Sequence, residues 1–236
     1  MGGLWQGLSQ IRDGRPTTAE WPVRIWNEWE IPSEFRKQVM EWMQGEFSKS
    51  DFVFAPRRRR VEGSFSYLFG YEGERLLYLR KTEIGIQKAQ LNRSQIVEVY
   101  TQRELLNALL RITYRKEEQQ HTLFLPYIPS TYYLYDPFLN WLLGRSKDFL
   151  PVEAEQEYPR PMKLYRESLA MYNYSLAAYR LGDGFEDYSY RYEKRRRPWM
   201  PWRVFLEEWL EVPMDHGNFE LHTFGYLTEC TYRIGC

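Results

Sequence analysis

Asp215, His216, Glu220 and His222 crowd into EVPMDHGNFELH, with Glu229 and Cys230 close behind, in a chain that has only three histidines. Imidazole and carboxylate are the ligands that zinc and iron take, so Asp215, His216 and His222 are the residues on which a metal-dependent enzyme would be built. Their spacing matches no helical or turn-based ligand pattern. On an alternating strand Glu220 and His222 share a face, whereas Asp215 and His216 lie in a turn. Cys230 would be a nucleophile if an imidazole reached it and an inert buried thiol otherwise. The commoner role of Asp-His-Gly is turn geometry, so the expectation is no metal and no cofactor, with the metal-dependent enzyme kept as the alternative.

Two cationic runs offer binding rather than catalysis. Arg57, Arg58, Arg59 and Arg60 follow DFVFAP, and Lys194, Arg195, Arg196 and Arg197 are followed by Trp199 and Trp202 with Pro198 and Pro201 between them. Arginines grip phosphate or carboxylate bidentately, and cations beside tryptophan suit an interfacial anchor or a stacking surface. In an extended segment neighbouring arginines alternate faces, so only two at a time serve one ligand. The rival reading is a solvated edge for the first run and ordinary cation–π packing for the second. Phosphate loops, nucleophile elbows, paired-cysteine zinc motifs and dinucleotide fingerprints are all missing, which removes the reason to expect catalysis.

Lysine plus arginine balances aspartate plus glutamate at 32 each, which argues against a surface built wholly for nucleic acid. Cys230 and Cys236 are the only cysteines, so no disulfide framework supports the fold and a cytoplasmic setting is expected. MGGLWQGLSQ lacks the basic start and apolar stretch of a signal peptide, and FLNWLLG falls far short of the roughly 20 apolar residues of a membrane helix. No transmembrane segment is therefore expected. Nineteen Tyr, thirteen Phe and nine Trp lean the chain toward sheet.

The elements that must position these side chains follow from periodicity. Residues 1–30 carry four tryptophans without a clean period and read as an irregular arm docked by its aromatic rings. IPSEFRKQVMEWMQGEF places Phe35, Val39, Trp42, Met43 and Phe47 on one side of a helix capped by Ser33. From 63 to 127 the period changes to two, describing an antiparallel meander in which LLNALLRITYR is one strand. YDPFLNWLLGR then reads as a helix with Asp136 as N-cap and Gly144 as its stop. Residues 145–163 read as a connector. In 165–192 helical spacing and alternation compete. Three alternating tyrosines after Gly182-Asp183-Gly184 favour a long β-hairpin, with further strands in NFELHTFGYLTECTYRI and WRVFLEEWLEV left open.

The strand order GERLLYLRKTEIGIQKAQLNRSQIVEV, then LLRITYRKEEQQHTLFLPY and one helix, resembles the bacterial pleckstrin-homology-like domains over about residues 63–144. The resemblance implies a small antiparallel barrel or half-barrel with a capping helix, and basic strand-loop rims that meet acidic lipids or phosphopeptides. The expected fold is mainly β, of the α+β class, in three parts: an arm and amphipathic helix at 1–50, the pleckstrin-homology-like domain at 51–145, and an aromatic-rich β segment at 163–236. The expected function is a non-catalytic cytoplasmic binding or adaptor module that recognises a protein or an anionic ligand, with homodimerisation through the tyrosine hairpin or an exposed edge as a corollary. Nucleic acid is not the expected partner.

Overall fold

The structure, a computed structural model, describes residues 20–43, 47–59, 61–185, 187–197 and 200–235. The fold is mainly β: strands form two antiparallel sheets, joined by a few short helices. Two compact units divide between Arg93 and Ser94, so the stretch 51–145 supplies strands to both sheets.

The first unit is a meander in the order β1 (Val23–Ile25), β2 (Ser50–Ala55), β3 (Tyr67–Glu72), β4 (Arg75–Thr82) and β5 (Gly85–Asn92). Helix α1 (Ser33–Trp42) buries Phe35, Val39 and Trp42, one stripe of its surface, against Phe52, Leu68, Leu77 and Leu79 of the sheet. Met43 and Phe47 pack at the margin of the same cluster. Gly70 is required where β3 passes Phe52, because a Cβ there would lie 2.4 Å from the Asp51 carbonyl oxygen and 2.2 Å from Phe52 Cδ1. The helix cap is Pro32, without a side-chain hydrogen bond, so Ser33 is the first helical residue rather than the cap. Of the arm tryptophans, Trp26 and Trp29 are exposed rather than docked, and Trp5 lies outside the described residues.

The second unit is one seven-stranded sheet assembled from two meanders. The first is β6 (Ile96–Glu104), β7 (Asn107–Lys116) and β8 (Gln119–Tyr127); the second is β9 (Ser189–Arg197), β10 (Met200–Met214), β11 (Gly217–Phe224) and β12 (Leu227–Ile234). They meet where β12 pairs with β6, with Thr231 opposite Tyr100, giving the order β8-β7-β6-β12-β11-β10-β9. The intervening chain forms α2 (Asp136–Leu142), α3 (Pro151–Glu157), α4 (Met162–Glu167) and α5 (Leu169–Ser175), then a 3₁₀ turn at Leu176–Arg180. Leu139, Met171, Ala178 and Tyr179 from this layer are buried, as are Val99, Leu110, Ile112, Leu210, Phe219, Leu221 and Tyr232 from the inner face of the sheet.

Three expectations are corrected here. Residues 169–180 are helical, not half of a hairpin: Ser168 accepts from the Met171 N–H at 3.2 Å as an N-cap, and Met171, Ser175, Ala178 and Tyr179 fall on one buried side. The strand after Gly184 pairs with β10 instead. The 145–163 connector contains α3, started by Pro151 in its first turn. Asp136 begins α2 without capping it, because its carboxylate is taken by Arg180.

Candidate functional site

The residues singled out by type are dispersed. Arg57 to Arg59 belong to the first unit, in irregular chain after β2, where the Arg58 N–H donates to Ser64 Oγ at 2.8 Å and Arg57 borders a shallow groove with Phe65, Arg80 and Lys81. Arg60 lies outside the described residues. Arg195 and Arg196 are exposed on β9 of the second unit, with Arg195 paired to Glu193 at 2.9 Å and Glu207 at 2.8 Å. Arg197 ends β9, and Trp202 is in β10 rather than in a stiffened loop, since a register shift between Met200 and Val204 takes up Pro201. The side chains of Arg197 and Trp202, and all of Trp199, lie outside the described residues.

Asp215 and His216 form the β10–β11 turn, whereas His222 stands six residues along β11 from His216, about 20 Å at strand rise. They do not share a site. The His216 N–H donates to the Leu181 carbonyl at 3.0 Å, and its own carbonyl accepts from Gly235. His222 is on the outer face, stacked on Trp209 with centroids 5.2 Å apart, between Glu229 at 2.8 Å and Glu207 at 3.1 Å. Cys230 faces the opposite side of the sheet, so no imidazole on β11 reaches its thiol. Burial pushes that thiol up from its ordinary range, which keeps it protonated and unreactive. Among the described residues no group of three His, Cys, Asp or Glu side chains is disposed to hold a metal ion.

What the second unit does bring together is a cavity of about 510 Å³ between the inner face of the sheet and the helical layer. Its polar wall comes from Thr101 and Arg103 on β6, Thr228, Cys230 and Tyr232 on β12, Asp136 on α2, and Arg180. Asp136 and Asn140 are four residues apart on α2 and therefore neighbours. Arg180 spans both, pairing with Asp136 and donating from Nε to Asn140 Oδ1 at 2.8 Å. Asn140 is fixed in turn by donating to the Lys147 and Phe149 carbonyls, at 3.2 and 2.9 Å. Arg103 is exposed and lies over the Tyr132 ring at 4.4 Å. No carboxylate among the described residues pairs with it, so two guanidiniums and one carboxylate leave the wall with an unmatched positive charge.

The mouth is apolar. Leu105, in the β6–β7 turn, is 66 % exposed, and Tyr226, in the β11–β12 turn, is 74 % exposed; both turns lie at the same end of the sheet, since Leu227 pairs with Glu104. Leu150, Val152 and Tyr174 complete the rim and are also exposed. Leu105 sits at φ +42°, at the first position of a two-residue hairpin turn, where glycine or asparagine is the usual occupant. LLNALLRITYR is not a strand throughout: β7 begins at Asn107, and Leu105 and Leu106 form the turn before it. An exposed leucine in that conformation carries a backbone strain that glycine would not.

Comparison of the chain with protein families, curated proteins and solved structures gives no match.

Proposed function

We propose that the chain is a non-catalytic binding module, and that its second unit takes a small monoanion with an apolar body in the cavity under the helical layer. The observation that carries this reading is Arg103, itself exposed at the cavity wall without a carboxylate partner among the described residues, beside an exposed apolar rim. A volume of about 510 Å³ falls in the range of small-molecule sites, and one or two charged groups within mainly apolar walls is their usual chemistry. The carboxylate or phosphate of such a ligand would meet Arg103 and Thr101, and its hydrocarbon or aromatic part would lie along Leu139, Leu150, Val152 and Tyr174. This keeps the anionic ligand expected from the sequence and transfers its recognition from the arginine runs to Arg103 and Thr101. The pleckstrin-homology-like resemblance, the cytoplasmic setting and self-association belong to the same proposal and rest on the sequence.

Decanoate tests it, with decanol as the uncharged control. Calorimetric titration should give saturable decanoate binding and little for decanol. Arg103→Gln should weaken decanoate by roughly 10- to 100-fold, the worth of one charge-assisted hydrogen bond. Equal binding of decanol, or an unchanged Arg103→Gln titration, sinks the proposal.

A further inference from the structure

Strand β10 outruns its neighbour. It pairs with β11 from Met214 to Glu207, opposite Phe224, and beyond Glu207 its only partner among the described residues is β9: Leu206 faces Lys194 and Val204 faces Arg196. The β9–β10 hairpin thus projects past the sheet as a two-stranded ribbon. It leaves from the same end as the β11–β12 and β6–β7 turns that carry Tyr226 and Leu105. An isolated two-stranded ribbon is marginal in water, so its projection needs a reason.

The ribbon's two faces differ. Side chains alternate along a strand, and Leu210 and Glu208 of β10 are buried on the helix-covered side, so Leu206 and Val204 continue that side outward. With them lie Tyr192, Lys194 and Arg196 of β9. All five are exposed, and neither Lys194 nor Arg196 has a carboxylate partner among the described residues. On the other face Arg195 is neutralised by Glu193 and Glu207. One side of the ribbon is therefore aliphatic, aromatic and cationic at once, and it continues the side and the end on which the cavity opens.

We infer that this end of the second unit docks on an anionic lipid surface through the inner face of the β9–β10 ribbon. Free cations alone would suit any polyanion. The exposed Val204, Leu206 and Tyr192 beside them decide the occupant, since phosphate contacts on a nucleic acid duplex need no aliphatic side chains, while an acyl-headgroup boundary accepts both. That the cavity is filled from the same surface rests on the ligand reading above; the docking does not.

Flotation of the full chain with vesicles tests it. Vesicles of phosphatidylcholine mixed with phosphatidylglycerol should carry the protein, and pure phosphatidylcholine vesicles should not. Each lost cation should cost about fivefold in vesicle affinity, so Lys194→Ala with Arg196→Ala should cost about 25-fold. Val204→Ser with Leu206→Ser should weaken vesicle binding while decanoate titrates as in the native chain, which separates failure of the docking from failure of the cavity. Absence of binding to the mixed vesicles overturns the inference, as does an unchanged result for both double variants. Tight, salt-sensitive binding of duplex DNA with none to vesicles would reassign the ribbon to nucleic acid.

Discussion

The two faces of the seven-stranded sheet handle charge in different ways. On the outer face most charges join one network: Arg191 lies over Trp209 without a carboxylate partner among the described residues, Trp209 stacks on His222, and His222 is held by Glu207 and Glu229. Tyr100 donates to Glu229, Arg111 covers Tyr100 and pairs with Glu98, and Arg233 joins Glu98 to Glu220. Most of its carboxylates are thereby paired, although Arg111 Nε has no hydrogen-bond partner and Arg191 borders an outer-face cavity of about 390 Å³. On the inner face a buried Arg180–Asp136–Asn140 cluster is complete, but Arg103 beside it is not. Density of ionisable side chains is therefore a poor guide to a site; the larger cavity and its exposed apolar rim are what set the inner face apart.

The sharpest way to break this comparison is to remove one charge from each face. Arg180→Ala should destabilise the second unit by about 3–5 kcal/mol, because it leaves Asp136 without its buried partner. His222→Gln should cost within about 1 kcal/mol, since His222 is itself partly exposed and glutamine keeps a donor for Glu207 or Glu229. Urea unfolding of both variants checks the pair, and equal losses would mean that the faces do not differ. Next in size is the alkaline limb of stability. On the helix-covered side Tyr179 is pushed up to about 12, chiefly by burial and then by Glu155, and Tyr190 to about 12 by burial and its hydrogen bond to Glu208. An unfolded tyrosine ionises near pH 10, so the folded state holds these protons more tightly. Stability from this source should be intact below pH 10 and lost as pH rises from about 10 to 12, which urea midpoints measured across that range would show. The smallest effect concerns the rim. Leu105→Gly should raise stability by a few tenths to about 1 kcal/mol by relieving φ +42°. It should also weaken decanoate by about threefold to tenfold through lost apolar contact. A variant that gained stability and kept full affinity would make the leucine incidental.

Local elements were legible where one period acted alone. Phe35, Val39 and Trp42 announced α1, alternation announced the meander strands, and Gly144, at φ +81°, ended its helix as expected. The signal failed at Tyr172 and Tyr174, where helical and alternating spacings coincide and only packing against β10 and β11 decides. The cavity was not legible at all, because Arg103, Asp136, Arg180 and Cys230 come from four separated elements and the pairing of β12 with β6 brings them together. One clue was present. Leu105-Leu106 stands between two strands where a tight turn calls for glycine or asparagine, and an apolar pair there is costly unless it is used.

The β12–β6 seam has a consequence for how the chain is made. Val99 must find Tyr232, so during synthesis β6 leaves the ribosome with one edge unpaired and waits until the helical layer and three further strands have followed. Through that interval a strand rich in Ile, Val and Tyr offers free N–H and C=O groups to any other extended chain. The second unit is thus a late-closing structure, exposed to aggregation in proportion to the time between its two meanders. Slower elongation or a missing chaperone should harm its yield more than any single substitution on its outer face.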